Sequence, residues 1–327
     1  MDKRVLGADF LLLLTAAVWG FGFVAQRSGM QYVGPFTFNA IRFPLGSVSL
    51  LPLIAWRRRF KPDEKSGGPI LFSSFLAGTC LFIAVAFQQL GIMFTTAGNA
   101  GFITGLYVIF TPIFGIFLGR RTGKATWIGA ILTFTGLYFL SSSGPFKDIN
   151  VGDIIIAVSA VFWAFHVLVI DALVKKTDPI ALSSGQFAFA GLYALIAAFS
   201  VEPFLSSWLL SSSSLSSSGL VTWKSFPALI SGLSSGDIPF ALVSGALIPI
   251  IYGAFGSAGV GYTLQVVAQQ YAPPAHATII LCLEGFFAAV GGILLLREPA
   301  GIRTIIGFAF MLFGMLVSQW ELIRSHR

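Results

Sequence analysis

The chain has 327 residues, of which 56% are hydrophobic and only 10% charged. A soluble domain is about 25% charged, so this sequence cannot clothe a soluble enzyme, a nucleic-acid binder or a disordered protein in polar surface. The net charge of +7 reads instead as the Lys and Arg excess of cytoplasmic loops in a membrane protein, and no nucleic-acid partner is expected.

In chain order, ten stretches approach the about 20 apolar residues that a transmembrane helix needs. They cover residues 8–28, 35–56, 69–91, 96–118, 124–142, 153–174, 179–200, 244–270, 274–296 and 302–321. The first follows Asp2, Lys3 and Arg4 and looks like a signal peptide. An internal copy of the same segment argues against that reading. With the N-terminus placed in the cytoplasm, fourteen Lys and Arg fall inside and five outside. The positive-inside rule then predicts two cytoplasmic termini and an even number of spans. Most connections are short. The exception, near 201–243, holds the run Ser211–Gly219 and reads as a flexible extracytoplasmic insertion with an irregular helix around 225–235.

The chain repeats itself. A shift of 144 places Asp9, Ala16, Trp19, Phe21, Pro35 and Phe43 on Asp153, Ala160, Trp163, Phe165, Pro179 and Phe187. A shift of 177 places Gln88 on Gln265 and Asn99 on His276, and a shift of 178 places Gly123, Thr126, Gly129 and Gly136 on Gly301, Thr304, Gly307 and Gly314. Each repeat holds five spans, so the second enters the membrane from the opposite side. The expected fold is an all-α integral membrane protein with ten transmembrane helices in two inverted five-helix repeats, 1–150 and 151–327. Inverted repeats mark many secondary transporters, with the substrate site near the midplane between them.

Trp19-Gly20, Pro35, Arg42-Phe43 and the stretch Thr95–Ala100 leading to Pro112 resemble the first half of an EamA-type transporter of the drug/metabolite transporter superfamily. Pro274–Ala277 through Glu284, then Arg297-Glu298-Pro299 and Gly307, resemble its second half. The resemblance covers roughly residues 8–321. It implies a ten-helix carrier with a central cavity lined by the first four helices of each repeat, the fifth lying outside. Arg120 departs from it, standing where the second repeat has Glu298.

Ionisable groups in mid-membrane are costly and tend to be functional. Glu284 lies about 15 Å into its helix, near the midplane; His166 lies about 20 Å and Arg42 about 10 Å in from the outside. These depths allow Arg42 or His166 to approach Glu284, and a purely structural pair stays open. Trp19 and Trp163 sit at symmetric midplane positions, as cavity lining or helix packing. Gln88, Gln265, Asn99 and His276 form symmetric polar pairs near helix ends, where some will satisfy backbone groups. Arg27 and Asp171, equivalent but opposite in charge, read as interface anchors. Pro112 and Pro249 read as helix bends, hinged or static. Cys80 and Cys282 form no disulfide framework, and no P-loop, metal-ligand spacing or Ser-His-Asp arrangement is present. No cofactor, metal or catalytic residue is expected.

The sequence therefore predicts a secondary transporter, not an enzyme. It would export small organic metabolites, amino acids or drugs by alternating access across a bacterial plasma (inner) membrane. Its partners would be the solute and the lipid bilayer, and a homodimer is left open. A nucleotide-sugar carrier is a weaker variant, since only Arg42 could meet a diphosphate. An intramembrane enzyme using His166 and Glu284 as acid and base is the alternative from another class. Glu284 is the candidate for proton coupling.

Overall fold

A computed structural model describes residues 3–60, 69–95, 97–120, 122–140, 150–211, 240–296 and 301–325. Among them every regular element is helical. In order these are α1 (Lys3–Gly29), α2 (Pro35–Phe60), α3 (Ile70–Ile92), α4 (Ala97–Thr104), α5 (Tyr107–Phe117), α6 (Lys124–Leu140), α7 (Val151–Val174), α8 (Pro179–Ser200) and α9 (Glu202–Ser211). There follow α10 (Phe240–Ile251), a π-helical stretch (Tyr252–Tyr262), α11 (Thr263–Ala268), α12 (Pro274–Leu281), α13 (Leu283–Leu296) and α14 (Ile302–Ser325). Eight helical runs among the described residues are long and apolar enough to cross a membrane; α4–α5, α10–α11 and α12–α13 each count as one run. The outward faces carry Phe10, Leu71, Phe117 and Ile248, each well over half exposed. Lipid covers such a surface at no cost. The protein is thus a multi-pass integral membrane protein. α6, with 17 residues, packs along α14.

Helix starts follow local chemistry. Asn150 and Asp153 form a reciprocal capping box at the start of α7. Asp178 caps α8, with Pro179 at its first position. The start of α2 is capped from far away. The backbone N–H groups of Phe36 and Thr37 both donate at 2.8 Å to Glu202 Oε2, and the Thr37 hydroxyl donates to Oε1. Glu202 is fully buried and opens α9, the described beginning of the long insertion. The serine run beyond Ser211 and the helix expected around 225–235 lie outside the described residues. Glu202→Ala should strand two buried N–H groups and cost about 1–3 kcal/mol, read as a lower unfolding temperature in detergent than Glu202→Gln. Equal temperatures for the two variants would show the cap to be unimportant.

Neighbouring helices approach through small residues, as apolar membrane helices must. α1 runs antiparallel to α10–α11, with Gly29 near Pro249, Gly22 near Ser257 and the Thr15 hydroxyl against the Gly261 carbonyl. It runs parallel to α12–α13, with Gly20 against Phe287 and Val24 against Gly291. α7 repeats the arrangement on the other half. It is antiparallel to α3, with Gly91 against Ile156 and Phe87 stacked on Phe162. It is parallel to α4–α5, with Thr95 bonded to Asp153 and Phe114 stacked on Phe165. α2 meets α8 at Pro44–Gly191 and Ser47–Ser184. Gly129 and Gly136 of α6 press on Gly314 and Gly307 of α14.

One sequence expectation needs correction. Asp171 is not an interface anchor: it is buried and pairs with Arg120 and, at 3.2 Å, with Lys175. Arg120, the departure from the family pattern, thus has an acid facing it across α5 and α7. Its equivalent by the 178 shift, Glu298, lies outside the described residues. Pro112 sits inside α5, and the break between α4 and α5 lies about two turns earlier, at Gly105 and Leu106.

Candidate functional site

The helix break at Gly105–Leu106 has a counterpart. There the backbone ladder tightens, with Leu106 and Val108 donating to carbonyls three residues back. In the second half the helix breaks at Cys282, where Gly285 donates to the Cys282 carbonyl in the same way. The shift of 177 maps Thr104, the end of α4, onto Leu281, the end of α12. It also maps Gly105 on Cys282 and Tyr107 on Glu284. These equivalents touch. The Cys282 thiol donates to the Gly105 carbonyl at 3.3 Å, and the Tyr107 hydroxyl donates to Glu284 Oε1 at 3.0 Å. Other equivalent pairs meet likewise: the Trp19 and Trp163 rings lie 6.1 Å apart and Phe43 stacks on Phe187 at 6.2 Å. Contacts between equivalent residues are what a pseudo-two-fold axis produces.

A cavity lies along this line of contacts. Its walls come from α1 (Trp19, Phe23, Gln26), α3 (Gln88), α4–α5 (Thr104, Tyr107), α7 (Trp163, Val167), the π-helical stretch and α11 (Ser257, Tyr262, Gln265), and α12–α13 (Leu281, Glu284). Among the described residues α2 and α8 supply no lining. The family resemblance implied four lining helices in each half; this closed cavity is lined from α1, α3, α4–α5, α7, the π-helical stretch with α11, and α12–α13. The second helices stand behind, with Phe43 and Phe187 against Tyr262 at 6.3 and 5.9 Å. The cavity volume is about 20 Å³. That is enough for one or two waters; an organic solute requires the walls to part.

Three aromatic rings make one wall. Tyr262 lies 4.5 Å from Trp19 and 5.9 Å from Trp163, nearly parallel to the latter. Glycines permit this: a Cβ on Gly261 would strike the Trp19 indole. Gly253, Gly256, Gly259 and Gly261 fall within Tyr252–Tyr262, directly after Pro249. Proline removes a backbone donor, and glycine tolerates the widened π turn. Trp19 Nε1 donates to the Ser257 carbonyl at 3.4 Å, while Trp163 Nε1 has no partner among the described residues. The side-chain oxygens of Gln26 and Gln265 are likewise buried without partners there.

The sequence-predicted residues divide into two groups. Trp19, Trp163, Gln88, Gln265 and Glu284 line the cavity. His166, Arg42, His276 and Asn99 do not. His166 stands behind the aromatic wall, edge-on to Trp163 at 5.7 Å, and its Nε2 bonds Gln186 at 2.9 Å. Arg42 packs its guanidinium over Phe43 at 4.7 Å and Phe38 at 5.4 Å. Neither approaches Glu284 within hydrogen-bond or ion-pair distance; Tyr107 takes that place. His166 and Glu284 are therefore not in contact in this structure. His276 bonds Asp9 through Nε2 at 2.9 Å and Ser318 through Nδ1 at 3.0 Å. Asn99 lies half-buried in the first turn of α4. Among the described residues no three potential metal ligands cluster. Tyr107 and Tyr262 were missed in the sequence. The signal for Tyr107 was present, since the shift that pairs Gln88 with Gln265 also carries it onto Glu284.

Proteins named as transporters are similar to this chain. A protein of Archaeoglobus fulgidus named as an uncharacterized transporter is 30% identical over 95% of this chain and 85% of its own length. Solute carrier family 35 member F6 of Homo sapiens is 23% identical over 57% of this chain and 58% of its own length. A solved crystal structure superposes with a TM-score of 0.69 at 14% identity, covering 97% of this chain and 98% of that one, which speaks for a shared fold alone. The pattern of the EamA-like transporter family matches residues 6–142 and again 150–319, so the chain that holds these paired broken helices belongs to the EamA-like transporter family.

Proposed function

We propose that the protein is a secondary transporter that exports small organic metabolites, amino acids or drugs by alternating access across a bacterial inner membrane. Its units are two inverted five-span repeats, 1–150 and 151–327, with α6 and α14 as the fifth span of each and the start of α1 in the cytoplasm. The observation that carries this reading is the pair of helices broken at equivalent positions beside Tyr107 and Glu284. Discontinuous helices meeting at a repeat interface are the usual frame of a carrier's substrate site. The antiparallel course of α1 and α7 supports the inversion: Trp19 meets Trp163, while Phe23 clusters with Ile156, toward the start of α7.

Alternation needs contacts that close each end in turn. Asp9 and Asp153, equivalent residues, each bind the opposite repeat. Asp9 holds His276, which also bonds Ser318. Asp153 accepts from the Thr95 hydroxyl at 2.8 Å. Because α1 and α7 run antiparallel, the two contacts lie at opposite ends of the bundle. Both are made here, matching a cavity too tight for an organic solute. A nucleotide sugar fits poorly, because no Lys or Arg is among the lining residues.

The test is counterflow in proteoliposomes. A panel of labelled metabolites, amino acids and cationic or neutral drugs is offered to the purified protein. Exchange of at least one solute, abolished by Trp163→Ala but not by a lipid-facing change such as Leu71→Ala, is expected. Failure to exchange any solute under any imposed gradient would overturn the reading.

A further inference from the structure

We propose that the cavity selects organic cations, solutes bearing an ammonium or delocalised nitrogen cation without a carboxylate or phosphate. The proposal rests on the transporter reading and names the substrate class of the same site.

Charge is the first argument. Among the lining residues Glu284 is the one formally charged group, and none is Lys, Arg or His. An anion placed here would meet a buried carboxylate across low dielectric, which is repulsive and unscreened. A cation would meet its counterion. Glu284 is oriented for this, since Tyr107 occupies one carboxylate oxygen and holds the group at the helix break. Arg42 does not reach the cavity; its guanidinium lies against Phe43 and Phe38.

The rings are the second, independent argument. Trp19, Trp163 and Tyr262 form a continuous aromatic wall, and Tyr107 stands beside the carboxylate. Cations bind the faces of Trp and Tyr rings when they lie within about 6 Å of the centroid, most strongly where water is excluded. The protein uses this contact itself one layer back. Arg42, almost fully buried, has no hydrogen-bond partner for Nε or Nη2 among the described residues and rests on two phenylalanine rings. A zwitterionic amino acid would need donors for its carboxylate as well. The lining holds no cationic side chain to meet that carboxylate, and its buried donor without a partner among the described residues is the neutral Trp163 Nε1. The unpartnered oxygens of Gln26 and Gln265 suit N–H donors of the solute instead.

The test uses three probes of similar shape on the full chain in detergent: benzyltrimethylammonium, benzyl alcohol and phenylacetate. Calorimetric titration should find the ammonium ion bound at least about tenfold more tightly than either of the others. Glu284→Gln should bring its affinity down to that of the alcohol, while Glu284→Asp keeps the cation preference. A monodisperse peak and an unchanged unfolding temperature establish that each variant is folded. Equal or tighter binding of phenylacetate, no binding of the ammonium ion, or an unaltered affinity in folded Glu284→Gln would each overturn the proposal. The two readings fail separately. Solute exchange without cation preference removes the cation site and leaves the carrier. Glu284-dependent cation binding without exchange of any solute removes the carrier and leaves the site.

Discussion

Glu284→Gln is expected to leave the protein folded and still exchanging solute at saturating concentration, at a rate that no longer varies with pH. Gln has almost the shape of Glu, and its side-chain oxygen can still accept from the Tyr107 hydroxyl, which is 3.0 Å from Oε1. The helix break at Cys282 and the contact with Gly105 do not involve the carboxylate charge. What is lost is the one carboxyl among the described lining residues, a group that exchanges a proton between neutral acid and anion. A proton and a cation compete for such a carboxylate, so binding one expels the other and two opposed gradients become coupled. Exchange measured across a pH series in proteoliposomes reads this directly. A Glu284→Gln protein with the wild-type pH profile would make Glu284 structural and leave the transporter a facilitator or driven elsewhere. His166 would then be tested next, although it lies behind the aromatic wall, edge-on to Trp163.

Gly20→Ala should disable the protein by a different route. A Cβ at Gly20 would collide with Phe287 Cβ and lie 2.7 Å from the Glu284 carbonyl oxygen and 2.8 Å from the Ala288 nitrogen. Two of these are backbone atoms of α13, which cannot rotate away as a side chain would. α1 and α13 must therefore separate, and α13 carries Glu284. Overpacking of this kind costs about 1–3 kcal/mol, visible as a fall in unfolding temperature. Solute exchange should fall further than stability alone explains, because Glu284 moves away from Tyr107 and the aromatic wall. Gly7→Ala on the same helix is the control, since nothing lies within 4 Å of its added Cβ. If Gly20→Ala matches Gly7→Ala in both stability and exchange, the α1–α13 contact does not hold the site.

The midplane carboxyl was legible because charge is so rare in this chain. An ionisable group within the run from Ile279 to Val290 has few explanations in a membrane. The tryptophans were legible because a residue type that favours the interface recurs at the same depth in both halves. The partners of these groups were not legible. Arg42 has the right depth to reach Glu284, but α2 presents it to Phe38 and Phe43 instead. Depth along a helix can be counted from sequence; direction around it cannot when every face is apolar.

The same distinction runs through the whole molecule. By itself the sequence determined the helical class, the membrane environment and the family pattern that occurs twice along the chain. These depend on composition, segment length and register, which any single strand of text carries. Only the tertiary structure decided which faces meet. In a soluble helix the polar face declares the direction of the core, but here lipid and core are equally apolar, and the hydrophobic pattern holds no such signal. Hence Tyr107 beside Glu284, Arg120 on Asp171, and Glu202 reaching back across the sequence to cap α2 emerged only from the packing, where small residues let particular helices approach and fix which buried polar groups find each other.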